Sequence, residues 1–532
     1  MQIWRNFSVF ILSASLIVAC SKDNKSNDSK VLRTDLGGNV GTLDPQGAFD
    51  PYTFHVLSDL YEGIVDMDQA NNPIAGMAES WTVSDDGLTY DFYLRHDLKF
   101  SDGSSISADD FVYSWRRMID PETAGYAGSS FGNILNVPDV ISHKLPLDSL
   151  GVEAVDQYQF RVNLSKPDPA FIEKCTALFT TVVPEQIIDK YGESWTSLEH
   201  IVTSGPYKLS KRVINGEIVL EKNPYYYNAK NVKMESIIYI PYQDRNSALS
   251  AYKTEELDIL NGVPVDQYAK LKSDYTKQLN TVGYEGIVFF SLNVFSDKLK
   301  DTNVREALSL AVDRNVLTNK ILASGQKPLY SYVTPTIENG RYKNVYYDWK
   351  SLTQAERDAK AKELLKDSGI EPQKYSINLT YDNNDINRKV AVAVASMWEK
   401  EIGIKVNLMP AERKDYLDKR KNSDFEVLLN SWGAAFNHVT TYTPEYACAS
   451  NVNVSRLCTV NYDSLITDAN MSLNEDQQTQ FYERALQLAM EQYAIIPLYQ
   501  NSYTMMISPK VSGLNVESNL LHDIRSKWIS KQ

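Results

Sequence analysis

Apolar and polar positions alternate most clearly between residues 375 and 432. Ile377, Leu379 and Tyr381 share one face of "YSINLTY", the two-residue period of a half-buried strand. "INRKVAVAVASMWEKEI" then takes up the helical period and stops at Gly403, which predicts a helix ended by glycine. Ile404, Val406 and Leu408 alternate again. Together these predict a β-α-β unit with parallel strands and a right-handed crossover. Another helical stretch, "ERKDYLDKRK", leads into "FEVLLNSW", a third strand in the same style.

Earlier segments give weaker signals of the same kind. "DDG", the alternating Tyr90, Phe92 and Leu94, and "SDG" predict hairpin-like structure over 85–103. Ser107 with Asp110 three residues later predicts a capped helix start, followed by Phe111, Trp115 and Met118 on one face. "VINGEIVL" (213–220) carries the Asn-Gly signal of a two-residue hairpin turn. "VREALSLAVDR" (304–314) predicts an amphipathic helix.

The segment "FEVLLNSWGAAFNH" (425–438) changes character at Trp432, where Gly433, Ala434 and Ala435 have almost no side chain. Ligands of open α/β sheets bind outside the carboxyl ends of the strands. Residues 432–438 are therefore a candidate site on topology alone: a large aromatic beside bare, uncharged backbone.

The remaining composition narrows the classes. A chain of 532 residues exceeds one core. A net charge of −14 argues against a nucleic-acid partner. The 33 tyrosines suit strands and wet clefts. At the start, "FSVFILSASLIVA" is thirteen residues ending at Cys20, too short to span a bilayer and shaped like a signal-peptide core. "IVAC" resembles a bacterial lipobox, with Cys20 as the acylated residue, and the polar "SKDNKSNDSK" after it predicts a tether. Cys448 and Cys458 lie ten apart in a loop-like stretch of an exported chain, so a disulfide is expected over two free thiols. Cys175, in "FIEKCTALF", is expected to be a buried small hydrophobe. The histidines are scattered, and no nucleophile elbow, zinc motif, phosphate loop or dinucleotide fingerprint occurs. The expectation is a binding protein without cofactor or metal, not an enzyme.

Seven stretches carry a family resemblance: "LDPQ" (43–46), "YEGIV" (61–65), "AESWTVSDDGLTYDFYLRHDLKFSDG" (78–103), "ISADDFVYSWRRMIDPET", "SGPYKL", "EKNPYYYN" and "NVREALSLAVDRNVL". They resemble the family 5 extracellular solute-binding proteins, receptors of oligopeptide and dipeptide ABC transporters. "YLDKRKNSDFEVLLNSW" is closest to the oligopeptide type, and "CASNVNVSRLCTVNYDSLI" looks like the disulfide loop of dipeptide-binding relatives.

The resemblance implies an α/β, two-lobed periplasmic-binding-protein fold, a hinged clam with an extra subdomain and the ligand cleft between lobes. The implied division is signal peptide 1–19, lipid-anchored tether 20–30, lobe I from 31–61, 186–286 and 501–532, extra subdomain 62–185, and lobe II 287–500. Crossings between lobes fit near Tyr284–Phe289 and Tyr499–Tyr503. An extended peptide would pair its backbone with two protein segments. One is Ala48 to Pro51, flanked by Phe49 and Tyr52 as cleft walls; the other is Ser431 to Ala435, through Trp432 and Gly433.

Departures from the family pattern matter more. Where oligopeptide receptors read W-C-A-D-Y, this chain reads W-G-A-A-F, so Ala435 replaces the aspartate that holds the peptide's amino group, and Gly433 the cysteine. Leu429 stands where an arginine, and Asn387 where a histidine, would help bind the peptide carboxylate; Arg420 matches a family arginine with that role. Glu445 is a conceivable substitute for the missing carboxylate. The implied function is a monomeric, lipid-anchored receptor, periplasmic or at the cell surface. It would bind peptides or peptide-like ligands and deliver them to a membrane permease. The alternatives are a receptor for a non-peptide or amine-blocked solute, or a ligand sensor or host-contact lipoprotein.

Overall fold

The computed structural model describes residues 29–48, 51–123 and 130–532. Cys20, the 1–19 segment, Phe49 and most of the 20–30 tether lie outside the described residues. One mixed sheet of eleven strands runs through the molecule. Its order is Lys405–Ala411, Ser376–Asp382, Val427–Gly433, Leu279–Leu292, Ile495–Ile507, Ile259–Asn261, Val31–Asp35, Ser236–Ile240, Ile218–Lys222 and Tyr207–Arg212, with Lys327–Pro328 paired to Ile495–Ile507. The strands Leu279–Leu292 and Ile495–Ile507, of 14 and 13 residues, pair antiparallel. Their register breaks between Gly283 and Ile287 and between Val288 and Phe289. Along the path of the sheet, three strands lie on one side of this pair and five on the other.

Buried apolar side chains gather into three large cores. One draws on Ile287 to Tyr499, a second on Ile64 to Val202, and a third on the stretches from Leu32 to Tyr61, Val183 to Val282 and Tyr503 to Ile529. The second surrounds its own antiparallel sheet, Ala78–Val83, Thr89–Leu94, Gln159–Asn163 and Val152–Asp156. Tyr90, Phe92 and Leu94 are buried there, as their alternation predicts. Helix Ala108–Ile119 opens with the predicted capping box, the Ser107 N–H donating to Asp110 at 2.8 Å. It buries Phe111, Trp115 and Met118 against that sheet.

In the 287–499 core, Ile377, Leu379 and Tyr381 are buried, and Ser376–Asp382 runs parallel to Lys405–Ala411. The connecting helix Asp385–Ile402 is capped by the Asn384 side chain. It ends at Gly403 with φ 74°, which a residue without Cβ adopts freely.

Three expectations need correction. Val427–Gly433 follows Ser376–Asp382 in parallel only at Val427 and Leu428. Along its whole length it also runs antiparallel to Leu279–Leu292, so the expected parallel third strand lies in a mixed sheet rather than a purely parallel one. The 304–314 helix is Thr302–Leu310. Arg314 turns inward instead, its Nε donating to the carbonyls of Leu329 at 2.9 Å and Pro497 at 2.8 Å. The 213–220 hairpin closes by a longer loop, Val213 N donating to Glu217 O at 3.0 Å and Gly216 N to Val213 O at 2.9 Å.

Cys448 and Cys458 form a disulfide, and Cys175 is a buried free thiol. Replacing both Cys448 and Cys458 with serine is expected to lower stability by about 2–3 kcal/mol through the freed loop. Urea unfolding under non-reducing conditions checks this, and the variant should be insensitive to added reductant.

Candidate functional site

The Val427–Gly433 strand presents an open edge at its end. Ala434 N donates to Glu285 O at 2.7 Å, which fixes the alternation: even-numbered residues turn their backbone groups toward Leu279–Leu292 and odd-numbered residues away from it. Pairing on that far side stops at Leu428. Tyr416 OH caps Leu429 O at 3.0 Å, and the Asn430 side chain accepts from Ser431 N at 2.9 Å. Beyond that point the outward groups of Ser431 and Gly433 meet no strand. Ser431, Gly433 and Ala435 are all exposed. A Cβ built on Gly433 would have nothing within 4 Å. The protein's own packing therefore does not demand glycine here, and the bare stretch is open space along a backbone edge.

Trp432 belongs to the opposite face. It is half-buried against the 287–499 core, and its indole N–H donates to Thr441 O at 2.7 Å. The ring braces the edge from behind. Leu429 is buried within that core, which corrects its place among ligand-contacting side chains. Asn387 is half-exposed and its amide donates to Asp382 O at 3.2 Å, so it secures the start of its own helix.

Arg420 lies 3.5 Å from Glu445. The Glu445 side chain is 1% exposed, which removes it as a substitute carboxylate in open space beside Ala435. Burial pushes the Glu445 carboxyl up to about 8, and the Arg420 guanidinium opposes that rise.

Across the candidate cleft, Ala48 is half-buried against the third core. Pro51 opens the helix Pro51–Leu60 rather than ending an extended segment, because its ring fixes φ at a helical value and brings no N–H to lose. Tyr52 is exposed, yet its ring lies over bare backbone. A Cβ on Gly38 would stand 2.5 Å from it, so Gly38 is what lets Tyr52 lie flat.

Residues 72–453 match the family described as bacterial extracellular solute-binding proteins, family 5 (middle part). The chain belongs to this family. It is 33% identical over 490 residues to the periplasmic oligopeptide-binding protein OppA of Salmonella typhimurium, covering 91% of this chain and 90% of that one. It is 31% identical over 480 residues to the periplasmic murein peptide-binding protein MppA of Escherichia coli, covering 90% and 89%. The unliganded open form of MppA superimposes with a TM-score of 0.83 at 29% identity, covering 94% and 97%.

The family is one of solute-binding receptors, and this chain is a receptor rather than an enzyme. It has the family's two-lobed α/β fold. Its three large cores, 287–499, 32–529 and 64–202, form the framework of that fold.

At the crossing between lobes lies a residue that the sequence reading passed over. Glu285, 1% exposed, accepts hydrogen bonds from the hydroxyls of Thr334, of Thr336 at 2.5 Å and of Tyr442 at 3.2 Å. Its partners are hydroxyls rather than cations. Burial accordingly pushes its carboxyl up to about 7, and the Thr336 and Tyr442 hydroxyls hold it from rising further. The signal was present: a lone carboxylate inside the apolar run "YEGIVFFSL". Its side chain shares the face of Ala434 and Trp432 and is taken up by those three hydroxyls.

Glu445 gives a pH test. Its folded pKa, about 8, exceeds the usual 4.5. The folded chain therefore keeps a proton that the unfolded chain releases. Stability from this group is intact below about pH 4.5 and lost as pH rises toward about 8. Other raised carboxyls, Glu285 among them, act in the same direction, so the test is a difference. Glu445→Gln should lose less unfolding temperature than the parent between about pH 5 and about pH 9. Parallel curves for the two proteins would show that Glu445 is already ionised in the fold.

Proposed function

We propose that this chain is the lipid-anchored, extracytoplasmic receptor of an ABC importer, tethered through Cys20. It closes its lobes on a peptide or peptide-like ligand and hands it to a membrane permease. The ligand lies extended along Ser431–Ala435 on one side and the Ala48–Tyr52 segment on the other, recognised mainly through its backbone. Tyr52 and Trp432 stiffen the two walls. What supports the reading is the open strand edge at Ser431 and Gly433, together with relatives named for binding oligopeptides and murein peptides.

The same edge sets the selectivity. No charge stands at Ala435: Glu445 is buried beside Arg420, and Glu285 is engaged by Thr334, Thr336 and Tyr442. Losing one partner of a buried charge pair costs about 2–5 kcal/mol, largely from the charge left alone. An ordinary peptide amine placed beside Ala435 would bear that cost. The ligand is therefore a peptide-like molecule whose end at this position is blocked, cyclic or extended further, or a non-peptide solute of similar shape.

Two measurements check this. Ala435→Asp should bind trialanine at least about tenfold more tightly than the parent chain in calorimetry; an equal or weaker affinity would refute the role given to the missing carboxylate. Residues 21–532, purified without denaturation, should release a single blocked or unusual ligand in mass spectrometry. A ladder of ordinary short peptides would instead make it a general oligopeptide receptor.

A further inference from the structure

The outward side of the Val427–Gly433 edge is closed at its ends and open in its middle. Its backbone groups belong to Leu429, Ser431, Gly433 and, just past the strand, Ala435. Leu429 O accepts from Tyr416 OH at 3.0 Å, and Ser431 N donates to the Asn430 side chain at 2.9 Å. Ala435 N donates to Thr441 Oγ1 at 3.4 Å. Between these caps, Ser431 O, Gly433 N and Gly433 O bond nothing among the described residues.

The caps come from separate elements: Tyr416 from the helix Arg413–Asn422, Asn430 from the strand itself and Thr441 from the turn Val439–Thr441. Tyr416 serves a buried carbonyl, since Leu429 is 2% exposed, and burial demands a partner. That reason does not extend to the other two. Ser431 and Ala435 are exposed, so water would serve their N–H groups. A side chain on each takes one donor from the edge on either side of Gly433 and leaves the glycine's own N–H untouched. Blunting against chance pairing would not spare the residue with the most open space around it.

What remains is two acceptors and one donor, spread over about 7 Å of edge. A ligand strand running in either direction meets them in the same pattern. One ligand residue gives both its N–H and its C=O, and the residue two further toward the ligand's carboxyl end gives its N–H. The residue between them turns its groups the other way. Bonding to this wall is therefore complete with three ligand residues.

We propose that Asn430 and Thr441 are specificity-determining residues. By holding the Ser431 and Ala435 N–H groups they limit the edge to a three-bond ladder, which reads a three-residue stretch of a peptide-like ligand through two N–H groups and one carbonyl. This rests on the reading that a ligand lies along Ser431–Ala435, and it adds which backbone groups such a ligand must carry there. A proline or an N-methylated residue does not fit at either donor position.

Calorimetry with N-acetyl-pentaalanine amide tests it, a probe without charge at either end and long enough to pass both caps. Thr441→Val and Asn430→Leu each release one donor, and each should bind the probe about three- to tenfold more tightly than the parent chain. Thr441→Ser keeps the hydroxyl and should bind as the parent does. A merely structural role for these side chains would show instead as weaker binding with a lowered unfolding temperature. Asn430 also bonds Ser291 Oγ at 3.3 Å, so Thr441→Val carries the test if Asn430→Leu does not fold. Gly433→Pro checks the underlying reading. It removes an N–H that bonds nothing in the protein, at an edge position that tolerates proline, and should weaken the probe about tenfold. Weakening by Gly433→Pro without tightening by Thr441→Val, or with equal tightening by Thr441→Ser, would overturn the three-bond limit and leave the ligand reading standing. Probe binding that Gly433→Pro does not change, or no binding to the parent chain, would overturn both.

Discussion

The molecule depends on the antiparallel pairing of Leu279–Leu292 with Ile495–Ile507. These strands join the part of the sheet on the 287–499 core to the part on the 32–529 core. A rigid ladder across this junction would lock the lobes. The register instead breaks between Gly283 and Ile287, where a bulge loosens pairing and increases twist. Glu285 sits in that gap. Its side chain is satisfied by the hydroxyls of Thr334, Thr336 and Tyr442, all from the 287–499 lobe. Its N–H donates to Leu520 O of the other lobe at 2.8 Å. The crossing is therefore anchored firmly on one side and by fewer bonds on the other, which suits a joint. On the proposed reading, closure follows only from the ligand's better fit to the closed state.

The candidate site follows from that junction. Val427–Gly433 is held by Leu279–Leu292 along one side for its whole length, while its other side is released after Leu428. Half a strand is thus fixed in place with its far edge unpaired, a liability in most proteins and a template for an added strand in a receptor. Trp432 supports it from the core face through Thr441 O, and exposed Gly433 leaves the approach clear. Backbone recognition of this kind is indifferent to ligand side chains. Selectivity must then come from the ends of the trough, and here the end at Ala435 carries no charge.

Much of this was legible in the sequence, and the reasons for the rest are physical. The alternation of Ile377, Leu379 and Tyr381, the Gly403 stop and the Ser107–Asp110 cap are local signals, and each element formed where its own residues require. Partners distant in the chain left no such mark. Nothing in "LDKR" foretells that Arg420 faces Glu445, twenty-five positions on. Nor does periodicity reveal that Val427–Gly433 takes an antiparallel neighbour from position 286 onward. Glu285 and Arg314 were visible as charges in apolar surroundings, but a period-based reading treats them as interruptions. The buried polar residue is the informative one.

The buried carboxyls meet two kinds of surroundings. Asp66 is paired with Lys527 and Arg525, which overcome its burial and hold its carboxyl below the usual range. That arrangement fixes the extra subdomain to the 32–529 lobe in a way that neither pH nor ligand easily disturbs. Glu285, Glu338 and Glu445 lack a dominant cation, and burial raises all three. Glu285 lies at the register break, Glu338 in a left-handed turn and Glu445 beside Arg420. A fold under selection for stability alone would gain by replacing such groups with apolar ones. Asp59, beside the 32–529 core, is raised in the same way, to about 6, and is bonded by Tyr239 and Ser526 rather than by a cation, so a raised carboxyl does not by itself mark the site.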